Sequence, residues 1–254
     1  MRTTTERREA IINRLNREGT VKVLALAKEF NVTKVTIRND LDYLEQKDLL
    51  VRSHGGAMQK PVQFLESTNS LKGQQHLPEK KRIGKKARDL IFAGDAIVLS
   101  AGTTTEQVVK GLTGIENLFL LTNGLNILTA IGHMTGITAV CTGGNFHQDS
   151  LSFSGFLAEE SLEKYNLDKM IVGVDGIHID QGITTHSEHE ARFYNAVLKA
   201  TRKCIVLADS SKFDKVSVHK IMPCAKIDVL ITDDGINSEY QQRLTKLGVE
   251  VIVV

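Results

Sequence analysis

Three groups of residues in this 254-residue chain have the types and spacing for binding chemistry. In the first, Gly102-Thr103-Thr104-Thr105 places three hydroxyls behind a glycine, and Ser210-Ser211-Lys212 places an ammonium behind two more. Gly143-Gly144 and Asp175-Gly176 belong with them. Glycine lets the main chain approach a ligand closely, while hydroxyls, amides and a lysine hold phosphate oxygens. The second group is Lys34, Thr36, Arg38 and Asn39. Arginine can grip guanine and asparagine adenine through paired hydrogen bonds, and lysine or threonine can meet a phosphate. The third is the carboxylates Asp175 and Glu190, able to accept from hydroxyls or to move a proton. His178, His186 and His189 have irregular spacing and no ordered metal motif, so neither a metal nor any other cofactor is expected.

The second group sits on an amino-terminal run of short helices. Thr5 can cap a helix with Ile11, Ile12 and Leu15 on its apolar side, ending near Gly19. Arg7 and Arg8 open it and are placed for a phosphate backbone. Leu24, Leu26, Ala27 and Phe30 mark a second helix ending at Asn31. Thr33 caps a third, with Val35, Ile37, Leu41 and Leu44 as candidate core. Two helices joined by so short a turn form a helix-turn-helix, whose second helix offers its early residues to base edges. Leu49 to Ala57 then reads as a short strand and a Gly55-Gly56 turn, the wing of a winged helix. Arg52 and His54 would lie along the sugar–phosphate backbone; a plain surface turn suits His54 equally. The bland reading of the third helix is an exposed face with ion pairs such as Arg38 with Asp42; the ordered set of residues favours DNA.

Residues 1–58 therefore form the first domain. Residues 59–78 are polar, aperiodic and punctuated by Pro61, Gly73 and Pro78, and read as a linker. Residues 79–254 form the second domain. It opens with an amphipathic helix carrying Ile83, Ala87, Leu90 and Ile91 on one face, with Lys80, Lys81, Arg82, Lys85, Lys86 and Arg88 expected in solvent. Seven apolar runs follow, at 96–100, 118–122, 138–142, 169–173, 204–208, 229–232 and 249–254, alternating with helical patterns. That alternation predicts an α/β domain with a mostly parallel sheet covered on both faces. Ligand groups should gather after the strand ends, where the small and polar residues of the first group fall.

Composition narrows the class. Residues 1–60 carry 12 Lys+Arg and 8 Asp+Glu, a balance of +4; residues 61–254 carry 20 and 22, a balance of −2. A basic head on a near-neutral body fits a polyanionic partner for the head alone. Cys141, Cys204 and Cys224 form no CxxC pair, the first residues hold no apolar leader, and no apolar run reaches the roughly 20 residues of a membrane helix. A cytoplasmic protein with no membrane partner is expected.

The run Arg7, Ile11, Leu15, Thr33-x-x-Thr36-Ile37-Arg38-Asn39-Asp40-Leu41, followed by Arg52-x-x-Gly55-Gly56-Ala57, resembles the helix-turn-helix of DeoR-type bacterial regulators of sugar metabolism. Ser100 to Thr105, Thr122-Asn123-Gly124, Gly173 to Ile177, Gly182 to Thr185 with Glu190-Ala191, and Ala208 to Phe213 resemble that family's sensor domain, itself similar to ribose-5-phosphate isomerase. Within the family, Thr5 to Glu9 and Val35 to Leu41 look closest to AgaR-like regulators of amino-sugar (N-acetylgalactosamine) use.

The resemblance implies a phosphorylated-sugar effector that alters affinity for double-stranded operator DNA, in a dimer or tetramer, most simply as a repressor of a carbohydrate operon. It implies that Thr103, Thr104, Thr105 and Lys212 hold phosphate and that Asn123, Asp175 and Glu190 face the sugar, beside Gly102, Gly143, Gly144 and Gly176. A sugar-phosphate isomerase with a DNA-binding head is the alternative. Val172 and Gly176 stand where the isomerase has further acids, and Gly182 to Thr185 replaces its lysine and glycine run. Binding without catalysis is therefore expected.

Overall fold

The computed structural model describes residues 4–18, 20–46, 50–53, 55–59 and 69–254; His54 and residues 60–68 of the expected linker lie outside them. The chain divides into two compact units, Met1–Glu66 and Ser67–Val254.

The first unit runs α1 (Thr4–Glu18), β1 (Thr20–Lys22), α2 (Val23–Phe30), α3 (Lys34–Gln46), β2 (Leu50–Ser53) and β3 (Gly56–Gln59). β3 pairs antiparallel with both β1 and β2, which makes the three-stranded wing of a winged helix. Asn31 ends α2 in the left-handed conformation, at φ 51°, and Thr33 starts α3 by accepting the Thr36 amide at 3.1 Å. Ile11, Leu15, Leu26, Ile37, Leu41 and Leu44 form the core. Val35 does not join it: it is 61% exposed. At about 100° per residue it falls on the face opposite Ile37, while Leu41 and Leu44 return to Ile37's side. Leu24 is exposed as well.

The arginine pair is another correction. Arg7 and Asp40 are buried, at 8% and 2% exposure. Arg7 Nε lies 2.5 Å from one Asp40 oxygen and Arg8 Nε 2.9 Å from the other. The Arg8 guanidinium also lies 3.7 Å from the centre of the Tyr43 ring. This buried junction pins α1 to α3 and takes Arg7 out of reach of a phosphate backbone.

The second unit begins with α4 (Asn69–Gln74) and α5 (Leu77–Arg88), so residues 69–78 of the expected linker are largely helical. Its frame is a seven-stranded sheet of β4 (Ala96–Leu99), β5 (Leu118–Thr122), β6 (Ile137–Cys141), β9 (Leu167–Gly173), β12 (Thr201–Leu207), β14 (Val229–Thr232) and β15 (Glu250–Val253). These are the seven apolar runs of the sequence. Every pairing in the order β15-β14-β12-β9-β4-β5-β6 is parallel. Apolar clusters cover both faces, which is why these strands read as continuous rather than alternating.

From β4 the chain builds outward through β5 and β6, then crosses to the other side of β4 for β9. The strand order therefore reverses between β4 and β9, the kind of crevice where open α/β sheets bind ligands.

Two smaller sheets went unread in the sequence: a ribbon of β7 (Asn145–His147) with β8 (Ser152–Ser154), and β10 (Gly176–His178), β11 (Gly182–Thr185) and β13 (His219–Met222). Strands of three or four residues are too short to display a period. The remaining helices are α6 (Thr103–Val109), α7 (Leu125–Ile131), α8 (Phe156–Leu162), α9 (Glu188–Ala200) and α10 (Ser238–Lys246). Among the described residues, no helix is long and apolar enough to cross a membrane.

Candidate ligand pocket and nucleic-acid interface

The β4–β9 crevice holds a cavity of about 380 Å³, a volume within the range of small-molecule sites. One wall comes from the chain after β4, Ala101 to Thr104; another from the end of β9, Gly173 to Asp175. Thr185 and Glu190 supply a third, and Lys72, Lys80 and Lys212 converge from three further segments.

Lys80 is the residue the sequence reading misplaced most. It is 4% exposed and lines the cavity. The cause is helix packing. An added Cβ at Gly84 would stand 2.5 Å from Gln107 Cβ, so α5 approaches α6 more closely than any side chain there would allow. One turn earlier on both helices, Lys80 Nζ donates to Thr103 Oγ1 at 3.1 Å and to the Lys72 carbonyl. Burial holds its pKa below the ordinary lysine value, and Lys212 and Lys72 add to the lowering; Asp209 opposes it. The result is a desolvated ammonium facing a cavity, with a second cation, Lys212, on the turn Ser210–Lys212.

The opposite end is acidic. Thr185 Oγ1 lies 2.5 Å from Glu190 Oε2 and 3.1 Å from Asp175 Oδ2. One hydroxyl has one hydrogen, so it cannot donate to both carboxylates at once. The contacts are satisfied together when Glu190 is protonated and donates to Thr185, which donates to Asp175. The electrostatics agree. Burial raises the Glu190 pKa and Asp175 adds to it, against Thr185, Lys72 and His186. Burial also pushes Asp175 up, but Lys72, Thr185 and the His186 amide outweigh it and leave Asp175 below the ordinary value. Ser187 caps α9 by accepting the Glu190 amide at 3.3 Å. A Ser-x-x-Glu cap usually turns its glutamate back to the cap amide; here the Ser187 amide goes to Thr185 Oγ1 at 3.3 Å, which leaves Glu190 for the cavity. Tyr194 donates to the Gly173 carbonyl at 3.1 Å, and burial keeps its phenol neutral.

The neutral acid has a consequence for stability. A carboxyl whose pKa rises on folding stabilises fully below its unfolded value, here 4.5, and loses that contribution as pH climbs through the folded value. Glu190→Gln stays neutral throughout. The melting temperature of the variant relative to the parent is therefore expected to improve from about pH 5 to about pH 8, and a flat difference across that range would refute the shared-proton arrangement.

Of the residues expected at the ligand, Gly102, Thr103, Thr104, Asp175, Glu190 and Lys212 line the cavity. Five do not. Thr105 is fully buried and donates to the Gly102 carbonyl at 3.0 Å. Asn123 is a clamp: its Oδ1 accepts the Ala101 amide at 2.9 Å and its Nδ2 donates to the Phe153 carbonyl at 3.1 Å. Gly143 and Gly144 follow the edge strand β6, away from the reversal, and a Cβ at Gly144 would stand 2.4 Å from the Ser154 carbonyl oxygen. Gly176 packs against the Lys215 carbonyl.

In the first unit, Lys34, Arg38 and Asn39 are exposed on α3 and Thr36 is half-buried. Val35 shares the open face with Arg38 and Asn39, so that face presents one apolar contact among polar ones. Arg52 is engaged within the unit. It donates to the Gly56 carbonyl at 3.2 Å and the Arg38 carbonyl at 3.3 Å, and pairs with Asp42. It fastens the wing to α3 instead of standing out toward a phosphate.

Family models match both units: the DeoR-like helix-turn-helix domain at residues 7–60 and the DeoR C terminal sensor domain at residues 75–234. The chain is 38% identical to the "Putative aga operon transcriptional repressor" of Escherichia coli O157:H7, over 99% of this chain and 94% of that protein. It is 31% identical to the transcriptional repressor AccR of Agrobacterium fabrum, over 98% and 97%, and 29% identical to the HTH-type transcriptional repressor GlcR of Bacillus subtilis, over 98% and 95%. Among solved structures, ribose 5-phosphate isomerase A of Methanocaldococcus jannaschii aligns with 55% of each chain at 14% identity and a TM-score of 0.40.

Proposed function

The chain belongs to the DeoR family of DNA-binding transcription regulators, and we propose that it represses a carbohydrate-utilisation operon under the control of a phosphorylated sugar held between β4 and β9. The observation that carries the ligand assignment is the division of one cavity into a cationic end, Lys80 with Thr103 and Lys212, and an acid end, Asp175 with Thr185 and Glu190. A phosphoryl group satisfies the first, where the buried Lys80 ammonium contacts no carboxylate among the described residues. Sugar hydroxyls satisfy the second, donating to Asp175 and to the Glu190 oxygen that does not bond Thr185. The amino-sugar class rests on the likeness to the aga operon relative. The protein acts in the cytoplasm, as a homo-oligomer whose paired heads read two half-sites.

Repression by ligand release requires that the sugar phosphate bind the DNA-bound and free conformations unequally; that difference bounds the switch. On α3, Arg38 and Asn39 read base edges, Val35 is placed for a thymine methyl, and Lys34 and Thr36 meet the backbone. Arg38→Ala is expected to lower operator affinity by about 1–3 kcal/mol at fixed salt and to relax specificity at one base position. Its ligand-induced thermal shift should match the parent's. Unchanged operator affinity would remove α3 from the groove.

We read the acid end as a binding surface without turnover. Catalysis would need a base free to take a proton, and the shared-proton arrangement leaves Glu190 neutral and Asp175 engaged with Thr185 and Lys72.

A further inference from the structure

α4 is the first element of the second unit, reached directly from the chain that leaves the first. Six residues cannot hold a helix by themselves in water, so α4 depends on its attachments, and three of these are to groups that line the cavity. Lys72 Nζ lies 3.3 Å from Asp175 Oδ1. The Lys72 carbonyl accepts from Lys80 Nζ. A Cβ at Gly73 would be 3.6 Å from Thr103 Cγ2. Asp175, Lys80 and Thr103 are thus shared between α4 and the cavity. The Lys72 side chain is 48% exposed, and an ion pair so open to water is weak.

We propose that Lys72 is the positioning residue that reports cavity occupancy to the chain leading toward the DNA-binding unit: an anion seated at Lys80 and Lys212 draws in the Lys72 ammonium and fixes α4, whereas without the anion the Lys72 side chain contributes to α4 only the exposed pair with Asp175. This rests on the reading of the cavity as an anion site. The step is electrostatic and needs no rearrangement of the sheet. Without the anion, Lys72 has one carboxylate partner among the described residues, Asp175, in partial contact with water. With an anion present it gains a second partner inside a less hydrated space, where charge-assisted hydrogen bonds are stronger. Linkage makes the effect reciprocal: whatever order the anion adds to α4, an ordered α4 returns as anion affinity. The charge is what matters, so Lys72→Arg should keep the coupling and Lys72→Met should lose it.

The test is hydrogen exchange of the amides of residues 70–76 in the full chain, with and without inorganic phosphate at matched ionic strength, alongside the melting temperature. In the parent and in Lys72→Arg, phosphate should raise the melting temperature and slow exchange across α4 at least about fivefold. In Lys72→Met, phosphate should still raise the melting temperature, by less, and leave α4 exchange unaltered. A thermal shift in the parent without slower α4 exchange, or equal slowing in Lys72→Met, would overturn the proposal while leaving the anion site standing. No thermal shift in any of the three proteins would remove the phosphate site, and the proposal with it.

Discussion

Replacing Lys80 by methionine is expected to weaken binding of a phosphorylated sugar about 10- to 100-fold while leaving the ligand-free protein as stable as the parent, or more stable. The two halves have one cause. Lys80 is buried, and its pKa is held down first by desolvation and then by two neighbouring lysines. Without ligand, that ammonium is a desolvated charge with two neutral hydrogen-bond acceptors, Thr103 Oγ1 and the Lys72 carbonyl. Because its hydrogen bonds are to neutral groups and not to a carboxylate, exchanging it for an apolar side chain of similar length removes the cost of desolvating a charge. With ligand, the same ammonium makes a charge-assisted bond to a phosphoryl oxygen, of about 1.5–3 kcal/mol, or roughly one to two factors of ten in affinity. Calorimetric titration and a melt of the ligand-free variant read the two effects separately. A variant that melts much earlier without ligand and binds as tightly as the parent would show Lys80 to be structural.

Asp40→Ala is expected to unfold the first unit and leave the second intact. It removes a buried carboxylate that Arg7 and Arg8 both contact and strands the buried Arg7 guanidinium. Breaking a buried pair from one side costs about 3–5 kcal/mol, a large share of what a small domain has. For a unit of this size that is a drop in melting temperature on the order of 15–30 °C. Calorimetry should show one early transition for the first unit and an unshifted one for the second. DNA binding would disappear with the early transition. Arg7→Met/Asp40→Leu, which removes both charges, should regain most of the loss. Were Arg7 a phosphate contact instead, Arg7→Met/Asp40→Leu would fold yet bind DNA with a shallower salt dependence.

Much of the fold was readable because its strands lie buried on both faces. Runs such as Ala96–Leu99 and Val229–Thr232 are continuous apolar segments between turn residues, a signal that needs no knowledge of neighbours. The third helix was readable from its Thr33 cap and its Ile37, Leu41 and Leu44 stripe. Val35 was misread because hydrophobicity was weighed before helical angle. Asp40 was beyond local reading, since its partners lie 32 and 33 residues earlier.

The candidate pocket divides in the same way. Small residues after strand ends pointed to the edge of the sheet where the cavity lies, yet those loops contribute unequally: the turns after β4, β9 and β12 line it, whereas Asn123, Gly143 and Gly144 do not. Strand order is set by long-range packing, so Asn123 and Gly143-Gly144 could not be set apart from Thr103 and Asp175 in advance. Lys80 did leave a signal: it occupies the stripe of Ile83, Gly84, Ala87 and Ile91, and a lysine within an apolar stripe calls for a buried role. Lys72, in a polar and aperiodic segment, left none.

The most direct measurement is a thermal-shift panel of sugar phosphates on the full chain, each run beside its unphosphorylated parent sugar. A phosphorylated member should raise the melting temperature of the second unit by several degrees, on the order of 2–4 °C for each kcal/mol of binding at the working concentration, while its unphosphorylated counterpart does nothing at the same concentration. Equal shifts from a sugar with and without its phosphoryl group, or no shift from any member, would contradict a cavity built around an anion.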